Sequence, residues 1–330
     1  MREKVSIALA TYNGAKYLRE QLDSIASQSR LPDELVIHDD CSSDDTIAIA
    51  SNFAKQVTFQ VTIARNEYNL GYTRNFSCAL QSCSGDYIFL CDQDDVWHID
   101  KIARVLAAFH ARPSTQLLIH DLDFCKQNLT RIGQTKLERM DNIFFDVMHD
   151  YVVGMATAIR GPFLRICLPI PEGSVPSHDW WLNHCAATLG CKEIMKDVLA
   201  LYRRHETNAT KNGSLNVDFV TTPEHFRKER AEGSRPILAK DIIGPNQISE
   251  YTKWLIANKE LLLEQKIASI ALINQLIAND VGKVDCALKR LKIVSLSRWQ
   301  RFNAIFKLFR IGGYDYFAGW KSAVKDLLIN

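Results

Sequence analysis

The chain has no surplus of either charge, no long apolar run, no metal-type cysteine pairs and no glycine-rich phosphate loop. Each absence excludes a class of protein. Lys and Arg number 40 against 38 Asp and Glu, a net charge of +2 over 330 residues. That balance argues against a dedicated nucleic-acid binder, which carries a basic excess. No window approaches the roughly 18 consecutive apolar residues of a membrane span. The apolar stretch at residues 5–10 runs straight into Thr11-Tyr12-Asn13 and is too short for a signal core. A cytoplasmic protein, soluble or at most peripheral on the inner face of the membrane, is expected. The nine cysteines (Cys41, Cys78, Cys83, Cys91, Cys125, Cys167, Cys185, Cys191 and Cys286) are odd in number and none shows CxxC spacing. Zinc-ribbon and thioredoxin-like readings therefore have no support, and reduced, mostly buried thiols are expected. Internal repeats and low-complexity segments are also absent.

What is present is a rhythm. Apolar runs at 5–10, 35–38, 57–63 and 86–91 read as buried strands. Helical patterns over 15–29, from Thr46 to Phe53, over 72–83 and from Ile99 to Ala111 lie between and after them. Strands alternating with helices predict an α/β fold with a mainly parallel central sheet and helices on both faces. Residues 117–124 read as a further strand, 152–159 as strand or helix, and a helix is expected from Ser177 to about Leu189. Residues 211–246 read as a polar loop or linker. Residues 247–330 carry helical spacing, as a C-terminal helical region after a catalytic domain at 1–210.

Ligands of open α/β sheets bind outside the C-terminal strand ends. Three polar clusters fall there: Thr11-Tyr12-Asn13, Asp39-Asp40, and Asp92-Gln93-Asp94-Asp95. Several carboxylates at one strand end repel one another, which makes sense where a hard divalent cation neutralises them; Mg²⁺ and Mn²⁺ take one or two carboxylates plus substrate phosphates. The alternative is that Asp95 caps the next helix and the others are solvated.

The four segments VSIALATYNGAKYLREQLDSIASQS, ELVIHDDCSSDDT, NLGYTRNFSCAL and GDYIFLCDQDDVW occur in this order between residues 5 and about 97. Together they resemble family 2 glycosyltransferases of the GT-A fold, with LCDQDDVW and YRRH most similar to bacterial rhamnosyltransferase-like members. The resemblance divides the domain at about residue 110 into a nucleotide-sugar-binding half (1–110) and an acceptor-binding half (111–210). It implies an inverting transfer from a nucleotide-diphosphate sugar, dTDP-rhamnose or a UDP-hexose, to a lipid-linked glycan of bacterial O-antigen, capsule or other surface polysaccharide, assisted by Mn²⁺ or Mg²⁺.

By the same resemblance, Thr11, Tyr12, Asn13, Asp40, Arg74, Asp92 and Gln93 bind the donor. Tyr12 would stack on the base, Asp40 (or, with roles exchanged, Asp39) would accept the pyrimidine N–H, and Arg74 would approach sugar or diphosphate. Asp94, Asp92 and His205 would hold the metal, and Arg203 and Arg204 the diphosphate. Asp179 would be the general base, His178 a second candidate, and Trp180 and Trp181 sugar-stacking surfaces. The Gln-x-x-Arg-Trp motif of processive relatives is absent, which implies one sugar per acceptor visit. Two other readings remain: a metal-dependent sugar-phosphate nucleotidyltransferase, disfavoured because ATYNGAK is no phosphate loop, and a non-catalytic nucleotide-sugar-binding scaffold.

The near-zero net charge is itself a sum. Residues 286–330 hold nine Lys or Arg against two Asp, +7, so the preceding 285 carry 31 against 36, −5. That tail also carries Trp299, Phe302, Ile305, Phe306 and Phe309. It suits an anionic membrane surface or, alternatively, a solvated basic face over a core stripe. A homodimer interface is a third use for these helices.

Overall fold

The computed structural model describes residues 2–140, 147–206, 250–294, 296–317 and 319–328. The expected linker at 211–246 lies outside them. The chain divides into two compact units, Met1–Phe219 and Val220–Asn330. No helix among the described residues is long and apolar enough to cross a membrane.

The first unit is built on one nine-stranded sheet. Its opening half alternates strand and helix: β1 Val5–Thr11, α1 Leu18–Ala26, β2 Glu34–Asp39, α2 Thr46–Ala54, β3 Gln60–Arg65, α3 Tyr72–Gln81 and β4 Tyr87–Cys91. These strands lie side by side as β3-β2-β1-β4, all parallel. Val5, Ile7, Ala8 and Leu9 of β1 are fully buried, as are Phe89, Leu90 and Cys91 of β4, because central parallel strands are covered on both faces. The third strand begins three residues later than its apolar pattern suggests. As an edge strand it pairs with β2 alone, from Gln60 opposite Glu34, and its residues are mostly half-buried or exposed. Burial does not fix its start.

The chain winds from β1 to β2 to β3, then returns to place β4 on the other side of β1. The β1–β4 boundary is therefore a topological switch point, where neighbouring crossovers diverge and leave a crevice at the C-terminal strand ends. Register brings those ends level, with Thr11 opposite Asp39 and Leu9 opposite Cys91.

Beyond β4 the sheet is mixed. The elements are β5 Val96–Trp97, α4 Lys101–Ala111, β6 Leu117–Cys125, β7 Arg131–Thr135, α5 Lys136–Met140, α6 Val147–Asp150, β8 Thr157–Arg160, α7 Gly161–Cys167, α8 His178–Thr188 and β9 Lys192–Arg203. The sheet continues β4-β8-β6-β9-β5, with β7 on β6. β8 is antiparallel to β4 and β6, and β9 is parallel to β6. The parallel expectation thus describes the first half of the sheet. The stretch read as strand or helix is both in turn: a 3₁₀ turn at Gly154–Ala156, then β8.

The second unit is helical. A helix over 250–257 is followed by α9 Lys259–Glu264, α10 Ile270–Val294, α11 Arg298–Arg310 and α12 Trp320–Leu328. The helical spacing expected over 247–330 is interrupted after Val294. Ser297 restarts it with a capping box that pairs its side chain and backbone with Gln300. Cys286, Ile293, Ile305, Leu308, Tyr314 and Ala323 form its core. Buried Arg290 donates to both oxygens of Asp326 at 2.8 and 2.9 Å, and Tyr314 Oη donates to the same carboxylate at 3.0 Å.

Candidate active site

At the β1–β2 end, two aspartates are spent on turns. Asp39, fully buried, accepts from Thr11 Oγ1 at 2.8 Å and from Ser42 N at 2.8 Å and Oγ. Thr11 itself is buried and faces Asp39, not the crevice. Asp40 is 2% exposed and accepts from Leu70 N at 2.7 Å, Asn66 Nδ2 at 2.8 Å and Gly71 N at 2.9 Å. Three of its roughly four acceptor sites are filled. As placed, Asp40 anchors the loop 66–71, and a base contact would have to use its remaining lone pair.

Across the switch point, Tyr12 and Gln93 close on each other. Tyr12 N donates to Gln93 Oε1 at 2.9 Å and Gln93 Nε2 donates to Tyr12 O at 3.0 Å. The Gln93 amide is thus a cross-tie between strand ends, while the Tyr12 ring stands 49% exposed at the crevice mouth. A Cβ at Gly14 would lie 2.1 Å from Gln93 Oε1, so any larger residue there would displace the Gln93 side chain. Asn13 takes a left-handed conformation, φ 45°. Its backbone N–H donates to Ser42 Oγ at 2.8 Å and its Oδ1 accepts from Ser43 N at 2.9 Å, so it locks the turn.

The acidic loop after β4 is met by the end of β9. His205 Nε2 lies 2.8 Å from Asp94 Oδ2, and its ring lies 4.6 Å from that of Tyr17. Asp95 is no helix cap. It is fully buried, precedes β5, and accepts from Arg203 N at 2.9 Å, while its Oδ2 has no hydrogen-bond partner among the described residues. Burial and then the neighbouring Asp94 and Asp92 push its carboxyl well up. Asp92 is pushed up to about 8 by burial, then by Asp94 and Asp179. Beneath the loop, buried Lys101 donates to Met155 O at 2.7 Å and lies 3.6 Å from the Trp97 ring centre. Burial lowers its amine to about 7, against the pull of Cys91, Asp95 and Asp92.

Arg203 does not face a diphosphate. It is 1% exposed, and its guanidinium donates to Asp94 O at 2.7 Å, to Gln127 O and to Glu20. It clamps the acidic loop to α1 from within, a correction to the expected ligand role. Arg204 alternates to the other side of the strand, half-buried, 5.7 Å from the Tyr202 ring.

The start of α8 supplies Asp179. Ser177 caps the helix, its Oγ accepting from Trp180 N at 3.3 Å and donating to Asp179 Oδ1. Trp180 N also donates to Asp179 Oδ1 at 2.9 Å. Asp179 Oδ2 has no hydrogen-bond partner among the described residues and faces Gly154, where a Cβ would lie 3.6 Å away. His178 points inward, stacked on Phe76 at 4.0 Å between ring centres, and burial lowers it to about 4 against the pull of Asp179. A neutral buried imidazole behind Asp179 does not match the expected alternative base. Trp181 is fully buried and donates from Nε1 to Cys167 O at 2.9 Å, so it is core and not sugar platform. Trp180 is half-buried and stacks on His184 at 4.7 Å. Arg74 pairs with Glu172 at 3.1 Å, both exposed.

Comparison with known proteins agrees with this architecture. Residues 6–165 match the family model Glycosyl transferase family 2. Over that segment, just under half of its length, the chain is similar to family 2 glycosyltransferases. An uncharacterised protein of Mycobacterium tuberculosis is 25% identical over 206 residues, 61% of this chain and 59% of that protein. The chain thus spans about three-fifths of that relative's length. The dTDP-rhamnosyl transferase RfbG of Shigella flexneri is 28% identical over 222 residues, 64% of this chain and 75% of that one. The crystal structure of S. aureus TarS 1-349 in complex with UDP-GlcNAc superposes with a TM-score of 0.52 at 17% identity, covering 94% of this chain and 92% of that one. At such identity the likeness speaks to the fold.

Within the first unit, three residues near these groups carry no obvious signal in the sequence. Asn75, 2% exposed, donates to His38 O at 2.9 Å and Thr11 O at 3.3 Å and accepts from Asn66 at 3.0 Å; it ties β1, β2 and the loop 66–71 together. Its signal was its place after Arg74 in NLGYTRN. Lys101 and Lys136 had none, since a lysine in a helix reads as solvated. Lys136 donates to Val152 O at 3.1 Å and is lowered to about 8 by burial, with Asp179 and Asp121 pulling the other way.

Among the described residues no group of three or more His, Cys, Asp or Glu is arranged to hold a metal ion. The chemistry of the donors still suits a hard divalent cation. Two carboxylates, Asp92 and Asp94, lie at the strand end with the His205 imidazole against Asp94, and burial, then Asp94 and Asp179, raise the Asp92 carboxyl.

Proposed function

We propose that the chain transfers a sugar from a nucleotide-diphosphate sugar to an acceptor hydroxyl with inversion, and that Asp179 is the base. The observation that carries this reading is the convergence of Asp179 on the acidic strand end. After burial and Asp94, Asp179 adds to the upward push on the Asp92 carboxyl, while both of its own hydrogen bonds fall on Oδ1. Oδ2 is left to take the acceptor proton. A hydroxyl is a poor nucleophile until that proton leaves in the transition state, and His178, whose two ring nitrogens are both buried, does not reach it. The attacked anomeric carbon would lie between Asp179 and the leaving diphosphate, so a single in-line displacement inverts it.

Tyr12 offers an exposed ring for the base, and Arg204, half-buried beside Tyr202, would approach the diphosphate. Asp94, Asp92 and His205 would hold Mn²⁺ or Mg²⁺. When bound, such an ion neutralises charge developing on the leaving diphosphate. For the donor we propose dTDP-rhamnose, supported by the name of the Shigella relative, with a UDP-hexose as second choice. For the acceptor we propose a lipid-linked glycan of a bacterial surface polysaccharide.

The test is a panel of nucleotide sugars with Mn²⁺ or Mg²⁺, following nucleoside diphosphate release with and without acceptor. Acceptor-dependent release is expected from one donor. Pyrophosphate release from a nucleoside triphosphate and a sugar phosphate would instead mark a nucleotidyltransferase. Asp179→Asn should lower turnover roughly 100- to 10,000-fold while nucleotide affinity is kept; full activity in that variant removes Asp179 as base.

A further inference from the structure

The aromatic residues of the basic tail separate into two faces of α11. Ile305 and Leu308 turn into the core of the second unit, at 9% and 4% exposure. Trp299, Phe302, Phe306 and Phe309 turn outward, at 89%, 60%, 57% and 46%. Their spacing of three, four and three residues keeps them on one stripe of the helix. Lys307 and Arg310 are exposed beside that stripe. Ile311 and Trp320 add exposed apolar surface just beyond it, at 68% and 63%. No Asp or Glu occurs from 286 to 314.

Of the three readings open in the sequence, a core stripe under a solvated basic face does not describe these four rings. They are large, apolar and outside the core. Soluble monomers seldom expose apolar surface so contiguously without a partner for it. We propose that this face of α11 docks on an anionic lipid surface. Trp and Phe favour the headgroup boundary, where one side of the helix is apolar and the other wet. The flanking cations meet negative lipid headgroups, and the acid-free stretch removes the repulsion that would oppose them. A protein partner would have to match four rings and a cationic rim together; an anionic bilayer offers both in any orientation about its normal. The attachment is peripheral, since no described helix is suited to span.

The test uses the full chain and no donor or acceptor, so it stands apart from the transfer reaction. Sedimentation with vesicles of phosphatidylglycerol and phosphatidylcholine, against phosphatidylcholine alone, reads the partition coefficient. Binding to the anionic vesicles is expected, weakened by salt. It should fall by at least about tenfold in Lys307→Glu/Arg310→Glu, and comparably in Trp299→Ser/Phe302→Ser/Phe306→Ser. Circular dichroism should show unchanged folding in both, because every altered side chain is exposed. Three outcomes overturn the proposal: no binding by the full chain, equal binding by both variants, or a dimer that the aromatic variant dissolves while vesicles go unbound. The last would give the face to a second copy.

Discussion

Gly14 shows how one absent Cβ sets the mouth of the crevice. An alanine there would collide with Gln93 Oε1, and Gln93 would have to release Tyr12. The exposed ring would then lose the two bonds that fix its backbone. Gly14→Ala should weaken nucleoside diphosphate binding about tenfold, the equivalent of roughly one hydrogen bond to a charged or buried group, measured by calorimetric titration. In the Gln93→Ala background the same change should cost almost nothing, since the clash is gone; full additivity of the two would show that they do not act through each other. Glu34, at the opposite end of the sheet, makes a stability prediction. Burial alone would raise its carboxyl, but Lys4, Ser6 and Ser84 outweigh that and hold it down from its ordinary 4.5 to about 2. A carboxylate depressed in the folded state stabilises fully above its unfolded pKa and loses that contribution as pH falls toward the folded one. Glu34→Gln should therefore cost about 1–3 kcal/mol near neutral pH, and the gap to the parent should close between about pH 4.5 and 2. A gap that stays constant over this range in denaturant unfolding would remove the charge as its source.

Elements differ in how openly the sequence displays them, and the difference is physical. β1, β2 and β4 are covered on both faces, so they read as unbroken apolar runs, and their polar ends stood out against them. α8 announced itself through Ser177 and Asp179 after three prolines. By contrast β9 was not legible at all. KEIMKDVLALYR mixes charge and apolar residues because most of its length is only half-buried, and its pairing with β6 shifts register near His120 and Asp121. Missing β9 meant missing why Arg203 is internal: the strand alternates its sides, so Arg203 goes in and Arg204 goes out. Asp39, Asp40 and Gln93 were legible as polar strand-end residues, but their partners come from loops up to 81 residues away in sequence, which no local pattern carries. The clamp formed by Arg203 can be tested at this scale. Arg203→Met keeps the volume but leaves Glu20, Gln127 O and Asp94 O without their donor. It should destabilise by about 1–3 kcal/mol, as expected when buried carbonyls lose a charged donor while Glu20 stays half exposed, and loosen Asp94 against His205. Nucleotide affinity should fall along with the melting temperature. A variant that melts early yet binds nucleotide normally would confine the clamp to folding.

The whole molecule is two units with separate cores, and the charge follows the division. The acidic strand end and Asp179 belong to Met1–Phe219, while the basic, aromatic tail belongs to Val220–Asn330. Each unit has a core of its own, which is the condition for unfolding as a separate step. The second is pinned by Asp326, fully buried beneath Arg290 and Tyr314. Asp326→Ala removes the buried carboxylate that accepts two hydrogen bonds from that guanidinium and one from Tyr314. The expected cost is about 3–5 kcal/mol, confined to the helical unit. Scanning calorimetry should then show one transition moved down and the other unmoved. Nucleotide binding should be retained at temperatures between the two, because the groups assigned to the donor all lie in the first unit. Vesicle binding should disappear over the same interval, because the stripe on α11 is held in shape by Ile305 and Leu308 packing into the core that Asp326 supports. A single transition that shifts as a whole, taking nucleotide binding with it, would mean that the two units fold as one cooperative body.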